Sequence, residues 1–192
     1  MIRDKDNAVK DIKIKIIDRS ADTCRVFANA FSGIGNVEVI YDDLGSYFGK
    51  HTGEIDCLVS SGNAFGFMSG GFDAALSDIL GWSFQERVQR YIRNNLYGEQ
   101  AVGTSFFMRT EIGDLSFIHT PTMRYPERIR DDMIIYQCMR STLICAAENG
   151  VKNLLMPVFG GGHGGVPAEV AADRMGEAYC QVLLRKGPAY KF

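Results

Sequence analysis

Ile55-Asp56-Cys57-Leu58-Val59-Ser60 runs straight into Ser61-Gly62-Asn63-Ala64-Phe65-Gly66-Phe67-Met68-Ser69-Gly70-Gly71-Phe72-Asp73. Asn153-Leu154-Leu155-Met156-Pro157 runs into Val158-Phe159-Gly160-Gly161-Gly162-His163-Gly164-Gly165-Val166-Pro167. Each pair reads as a short apolar strand, a glycine-rich turn and the start of a helix. Such a turn exposes backbone N–H groups, keeps Cβ atoms out of the way and aims the positive end of a helix dipole at whatever sits there. Five glycines fall within residues 160–165, more than reversing the chain requires.

Working outward, strand and helix periods alternate. Ile12, Ile14 and Ile16 mark a first strand, and Ser20-Ala21-Asp22 offers caps for a helix through about Phe31, closed by Gly33 and Gly35. Val37–Tyr41 reads as a second strand, and the polar, glycine-containing segment Asp42–Gly53 as a loop. Helices are expected from Phe72 to about Leu80 and from about Ser83 to Leu96, then strands near Val102–Met108 and Leu115–His119. Met133, Tyr136, Met139, Leu143 and Ala147 line one helical face before Asn149-Gly150, and Ala171, Met175, Ala178 and Val182 line another after Pro167. Strands separated by helices imply right-handed crossovers and a mostly parallel sheet covered on both faces, an α/β architecture.

The 192 residues fit one domain, residues 1–192, with a charged and flexible tail over 1–10. An apolar fraction of 46% supports a sizeable core, and no apolar run reaches the roughly 20 residues of a membrane helix. Twenty-one Lys and Arg nearly balance 23 Asp and Glu, so no global field draws the chain to nucleic acid or membrane. Arg87, Arg90, Tyr91, Arg93 and Tyr97 follow helical spacing, which fits a solvated face with buried aromatics better than a nucleic-acid surface. Five cysteines without a C-x-x-C pair, and three scattered histidines, indicate reduced buried thiols and no metal site. With a charged N-terminus in place of a signal peptide, the expectation is a cytoplasmic protein. No G-x-x-x-x-G-K-S/T motif occurs, which disfavours a P-loop enzyme.

In such a sheet, ligands sit beyond the carboxyl ends of the strands, where both glycine turns would lie. These residues resemble the macro domain family. Ile55 to Asn63 looks like its V-D-A-I-V-N-A-A-N signature, and Gly70-Gly71-Phe72-Asp73-Ala74-Ala75-Leu76 like its G-G-V-D-G-A-I continuation. Pro157 to Pro167 is similar to P-x-x-G-x-G-x-x-G-x-P. Tyr41-Asp42-Asp43-Leu44 resembles an early G-D-I segment, and Phe117-Ile118-His119-Thr120-Pro121 a strand ending in His.

The resemblance implies a three-layer α/β/α fold with a mixed, mostly parallel sheet and a cleft for ADP-ribose or an ADP-ribosylated substrate, with no further cofactor. It implies that Asp43 accepts a hydrogen bond from the adenine amino group, with the Leu44 backbone beside it. Gly70, Gly71 and Phe72 would wrap the diphosphate from one side, and Gly160, Gly161, Gly162, His163 and Gly164 from the other. Asn63 would contact the distal ribose and Asp73 would stand near its anomeric carbon, the two catalytic candidates. The implied activity is hydrolysis at the distal ribose, of a protein-linked ADP-ribosyl group or of ADP-ribose carrying phosphate or acetyl there. The alternative is a non-catalytic binding module.

Departures from the family pattern stand out: Ser60 for the first Asn with Gly62 for the second Ala, Met68-Ser69 in place of further glycines, and Ser77 for a His. The aromatic that commonly covers the distal ribose is replaced by Gly164, next to His163. Phe159 and Tyr190 are the candidates to stack on adenine.

Overall fold

The computed structural model describes residues 11–183. The expected tail over 1–10 and Tyr190 lie outside them. Six strands form one sheet: β1 (Lys13–Asp18), β2 (Val37–Tyr41), β3 (Cys57–Ser60), β4 (Phe106–Arg109), β5 (Ser116–His119) and β6 (Asn153–Pro157). Six helices accompany them: α1 (Ala21–Ala30), α2 (Leu44–His51), α3 (Gly71–Leu80), α4 (Phe84–Asn95), α5 (Met133–Glu148) and α6 (Ala168–Leu183). The strand order is β2-β1-β6-β3-β5-β4, every pairing parallel except β4 with β5.

Side-chain alternation along the strands divides the core in two. Ile14, Ile16, Cys57, Val59, Leu154, Met156 and Ile118 face the layer of α1, α5 and α6, against Phe27, Met139 and Met175. Ile17, Leu58, Leu155 and Phe117 face α2, α3 and α4, against Tyr47, Leu76 and Val88. Both faces are covered, as the alternation of elements requires. Asp56 ties three strand starts together: its carboxylate accepts from the Lys152 and Asn153 N–H groups at 3.0 Å, and its carbonyl from Ser116 N–H at 2.8 Å.

One expected loop is a helix. Within Asp42–Gly53, residues Leu44–His51 form α2 despite Gly45 and Gly49, which disfavour a helix interior. Tertiary packing overrides propensity here: Leu44, Tyr47 and Phe48 fall on one face and are buried, and Asp43 caps the first turn. The expected strand near Val102–Met108 is shorter, beginning at Phe106. Gly103 adopts φ +81°, and its N–H donates to the Pro121 carbonyl in a turn.

α4 buries Phe84, Val88 and Ile92, Tyr91 stacks on Phe106, and Arg87 pairs with Glu111, so this helix is committed largely to packing. All five cysteines are free thiols, four of them buried. Among the described residues, no helix is long and apolar enough to cross a membrane.

Candidate functional site

Because the five parallel strands run the same way, their carboxyl ends share one edge of the sheet. A cleft of about 1040 Å³ opens there. It is bounded by Asp42, Asp43 and Leu44 after β2, by Ser61, Gly62 and Asn63 after β3, and by Pro157 and Val158 after β6. Both glycine turns, residues 69–72 and 160–164, line it together, along with Asp73 and His163. The residues expected to hold the diphosphate, the adenine amino group and the distal ribose thus fall on one cavity, whereas Phe159, a candidate to stack on adenine, does not line it. Arg19, Phe67, Thr122, Met123 and Pro126 also line it and were not anticipated. Arg19 follows β1, Phe67 lies within the first glycine-rich stretch, and Thr122, Met123 and Pro126 come from the connection after β5, which carries no motif of its own at these positions.

The first turn of α3 has no side-chain cap. Its N-cap is Gly70, and the N–H groups of Gly71, Phe72 and Asp73 lie too early in the helix to find intrahelical partners. Opposite them, Gly162–Gly164 form a single 3-10 turn. This loop is held from behind, where Val166 N–H donates to the Gly160 carbonyl and Ile129 N–H to the Gly164 carbonyl. Glycine is required at position 160: φ is +76°, and a Cβ there would collide with Ile135 and Val166. Two sets of main-chain donors therefore border one hollow, and such sets favour an anion.

Asp43 sits at the other end, on the surface. Its Oδ1 accepts from Ser46 N–H at 2.9 Å as the cap of α2, and that bond chiefly holds its carboxyl below the usual carboxylate range. Asn63 is nearly buried, and its side chain organises its own turn. Oδ1 accepts from Phe65 N–H at 3.2 Å and Phe67 N–H at 3.3 Å, while Nδ2 donates to the Phe67 carbonyl at 2.9 Å. One amide hydrogen remains to face the cleft.

Asp73 is 6% exposed, and burial pushes its carboxyl up to about 7, opposed only by a 2.8 Å hydrogen bond from Ser60 Oγ to Oδ1. His163 is exposed on the rim. Phe159 is fully buried in the core beneath the second loop, so it cannot stack on a ligand's base. The apolar environment of Met156 and Val158 captured it. Phe67, half exposed and lining the cleft, is an aromatic that does reach a ligand's space.

The departures from the family pattern have local reasons. Ser77 donates to the Met68 carbonyl at 3.0 Å, and Met68 N–H donates to Gln85 at 2.7 Å, which fixes the chain just before Gly70. Met68 itself is fully buried.

A mixed six-stranded sheet between two helical layers, with paired glycine turns at one edge, defines an α/β/α ligand-binding domain. The sequence pattern of the Macro domain family matches residues 59–175, and the chain belongs to that family. A curated relative, an uncharacterized protein of Aquifex aeolicus (strain VF5), is 29% identical over 127 residues, 65% of this chain and 72% of the relative.

Among solved structures, the macrodomain of Mycobacterium tuberculosis DarG aligns with a TM-score of 0.58 at 20% identity, covering 67% of this chain and 83% of that one. A variant of the Oceanobacillus iheyensis macrodomain with ADPR gives 0.61 at 19% identity, covering 70% and 74%. Thermosipho africanus DarTG in complex with ADP-ribose gives 0.57 at 18%, covering 90% of this chain and 50% of that one. At these identities the likeness concerns the fold.

Proposed function

We propose that this macrodomain binds ADP-ribose or an ADP-ribosyl derivative and hydrolyses the bond at the distal ribose. The observation that carries the reading is the pair of glycine turns with unspent N–H groups bordering a single cleft. A diphosphate between them exchanges hydration for fixed main-chain donors, which lets a chain of net charge −2 hold a dianion. The ADP-ribose in two of the solved relatives agrees with this ligand class. Asp43 and Leu44 would receive the adenine end, and Asn63 and Asp73 the distal ribose.

In the reaction, a water oxygen bonds to the anomeric carbon while the carbon–oxygen bond to the leaving group breaks. A leaving carboxylate takes the electron pair, and the water's proton passes to the Asp73 carboxylate. A carboxyl titrating near neutrality is matched to that task.

The test is incubation with a mono-ADP-ribosylated peptide. Free ADP-ribose should appear, and Asp73→Ala should slow its release at least about 100-fold while still binding ADP-ribose. Tight binding without release by the unaltered protein would instead establish a reader. The commitment of Asn63 to its own turn is the observation that favours this second reading.

A further inference from the structure

The end of the cleft assigned to adenine is built by chain that the family pattern does not reach. That pattern begins at residue 59, whereas β1, α1, β2 and α2 all precede it. β1 lies between β2 and β6, so its carboxyl end stands between Asp43 and the second glycine turn. Asp18, Arg19, Ser20 and Thr23 line the cleft there, beside Asp42 and Asp43.

Among the described residues, no aromatic ring lines this end. The rings on the cleft are Phe67 and Phe72, both in the stretch after β3 that serves the diphosphate and the distal ribose. Phe159 is in the core, and Tyr41, exposed at the end of β2, does not line the cleft. A purine whose amino group meets Asp43 would have its edge held and its faces bare.

The flat group at this end is the guanidinium of Arg19. Among the described residues, Arg19 is the one Lys or Arg that lines the cleft, and its side chain is exposed. The carboxylates around it are engaged elsewhere. Asp18 accepts from Ser20 N–H at 2.7 Å, Asp42 from Asp43 N–H at 2.8 Å and Lys50 at 3.5 Å, and Asp43 from Ser46 N–H at 2.9 Å. The guanidinium makes no ion pair or hydrogen bond among the described residues. Its charge still reaches Asp43: after the bonds from Ser46, it is among the influences that keep that carboxyl low.

A guanidinium can grip a phosphate or lie flat on a ring. Charge decides between the two. Asp18, Asp42 and Asp43 crowd this end with carboxylates, which repel an anion and leave an uncharged purine unaffected. The diphosphate has its own donors at the glycine turns, and the first of these follows β3, which β6 separates from β1.

We propose that Arg19 is a platform for adenine, its guanidinium lying on one face of the purine while Asp43 holds the amino edge. This rests on the ADP-ribose reading and deepens it. Stacking is indifferent to which base it covers, so Arg19 supplies affinity and Asp43 supplies the choice of base. Its lack of partners leaves the side chain free to settle on the ring.

The test is calorimetric titration of the full chain and three variants with ADP-ribose. Arg19 is exposed and Ser20, the cap of α1, is untouched, so each variant should keep the thermal midpoint of the unaltered protein. Arg19→Ala should bind about tenfold more weakly. Arg19→Lys, which keeps the charge without the plane, should stay close to the alanine variant. Arg19→Tyr, which keeps a plane without the charge, should come within about threefold of the unaltered protein. Pyrophosphate, a competitor without a base, should have the same inhibition constant in all four.

Rescue by lysine but not tyrosine, or weaker pyrophosphate binding in Arg19→Ala, would make Arg19 a phosphate contact and overturn the stack. So would ADP-ribose affinity that ignores every change at Arg19. In the unaltered protein, a nuclear Overhauser contact from adenine H2 or H8 to the Arg19 side chain reports without any variant, and its absence from saturated protein also overturns the stack. No binding of ADP-ribose by the unaltered protein would instead overturn the ligand reading, and the stack with it.

Discussion

Two helices begin on the same cleft, and each has an aspartate at its start, Asp43 as the cap of α2 and Asp73 in the first turn of α3, yet the two beginnings are built in opposite ways. α2 is closed by its own Asp43, whose carboxylate takes up the Ser46 N–H at the surface. α3 opens with Gly70 and no cap, and its Asp73 is turned inward against Ser60. Donors pull the first carboxyl below the usual range, while burial pushes the second to about 7. A helix start that spends its donors on its own chain is stable and unavailable to an anion. One that leaves them unspent keeps them for a ligand. The contrast separates a capped rim from a floor whose first-turn donors are free and whose carboxyl is held near neutrality, the features on which the proposed function relies.

The largest expected effect comes from removing the inner carboxyl's charge. Asp73 has a raised pKa in the fold, so its contribution to stability is fully present below about pH 4 and is lost as pH rises through about 7. Asp73→Asn should therefore match the parent at pH 4 and exceed it by on the order of 3 kcal/mol at pH 8, read from denaturant midpoints. His119 acts in the opposite sense. Its depressed pKa gives stability above about 6.5 that is lost as pH falls toward 3, and this acid limb should persist in the variant. Equal pH profiles for the two proteins would break the contrast between the aspartates.

Next in size is the conversion of the open helix start into a closed one. Gly70 is extended (φ −139°, ψ 154°), and a Cβ there meets nothing within 4 Å. Gly70→Asp should fold, cap α3 as Asp43 caps α2, and weaken ADP-ribose binding at least about tenfold by placing a carboxylate among the phosphate donors. Unchanged affinity in calorimetry would show that the first turn of α3 is not where the ligand's charge sits. The smallest effect is expected at the rim. Asp43→Ala should lower the thermal midpoint by about 2 °C and reduce the preference for adenine over guanine nucleotides, with little change in diphosphate affinity.

Much of this arrangement is legible in the chain. The strand-turn-helix junctions after Ile55–Ser60 and Asn153–Pro157 mark the cleft because glycine runs between apolar strands and helix starts have a direct physical meaning. The helix over Leu44–His51 escapes notice because its two glycines argue against it locally, and only packing of Leu44, Tyr47 and Phe48 decides in its favour. Phe159 looks like a stacking residue because its glycine neighbours place it in the loop, but burial takes it into the core. The grouping of Ser60, Asp73 and His119 around Gly62 is invisible for a different reason. These residues come from separate segments, and their meeting depends on the pairing of β3 with β5. Ser60 and Gly62 are visible as departures from the signature, but the sequence offers no sign that Ser60 bonds to Asp73 or that the space beside Gly62 is closed by His119.

The most direct measurement of the central claim is calorimetric titration of the unaltered protein with AMP, ADP and ADP-ribose at fixed salt. If the two glycine turns grip a diphosphate and the inner end receives a second sugar, affinity should rise at least about tenfold from AMP to ADP and again on addition of the distal ribose. Equal affinities for AMP and ADP would contradict the twin main-chain cradle, and equal affinities for ADP and ADP-ribose would remove Asn63 and His163 from the ligand's surroundings.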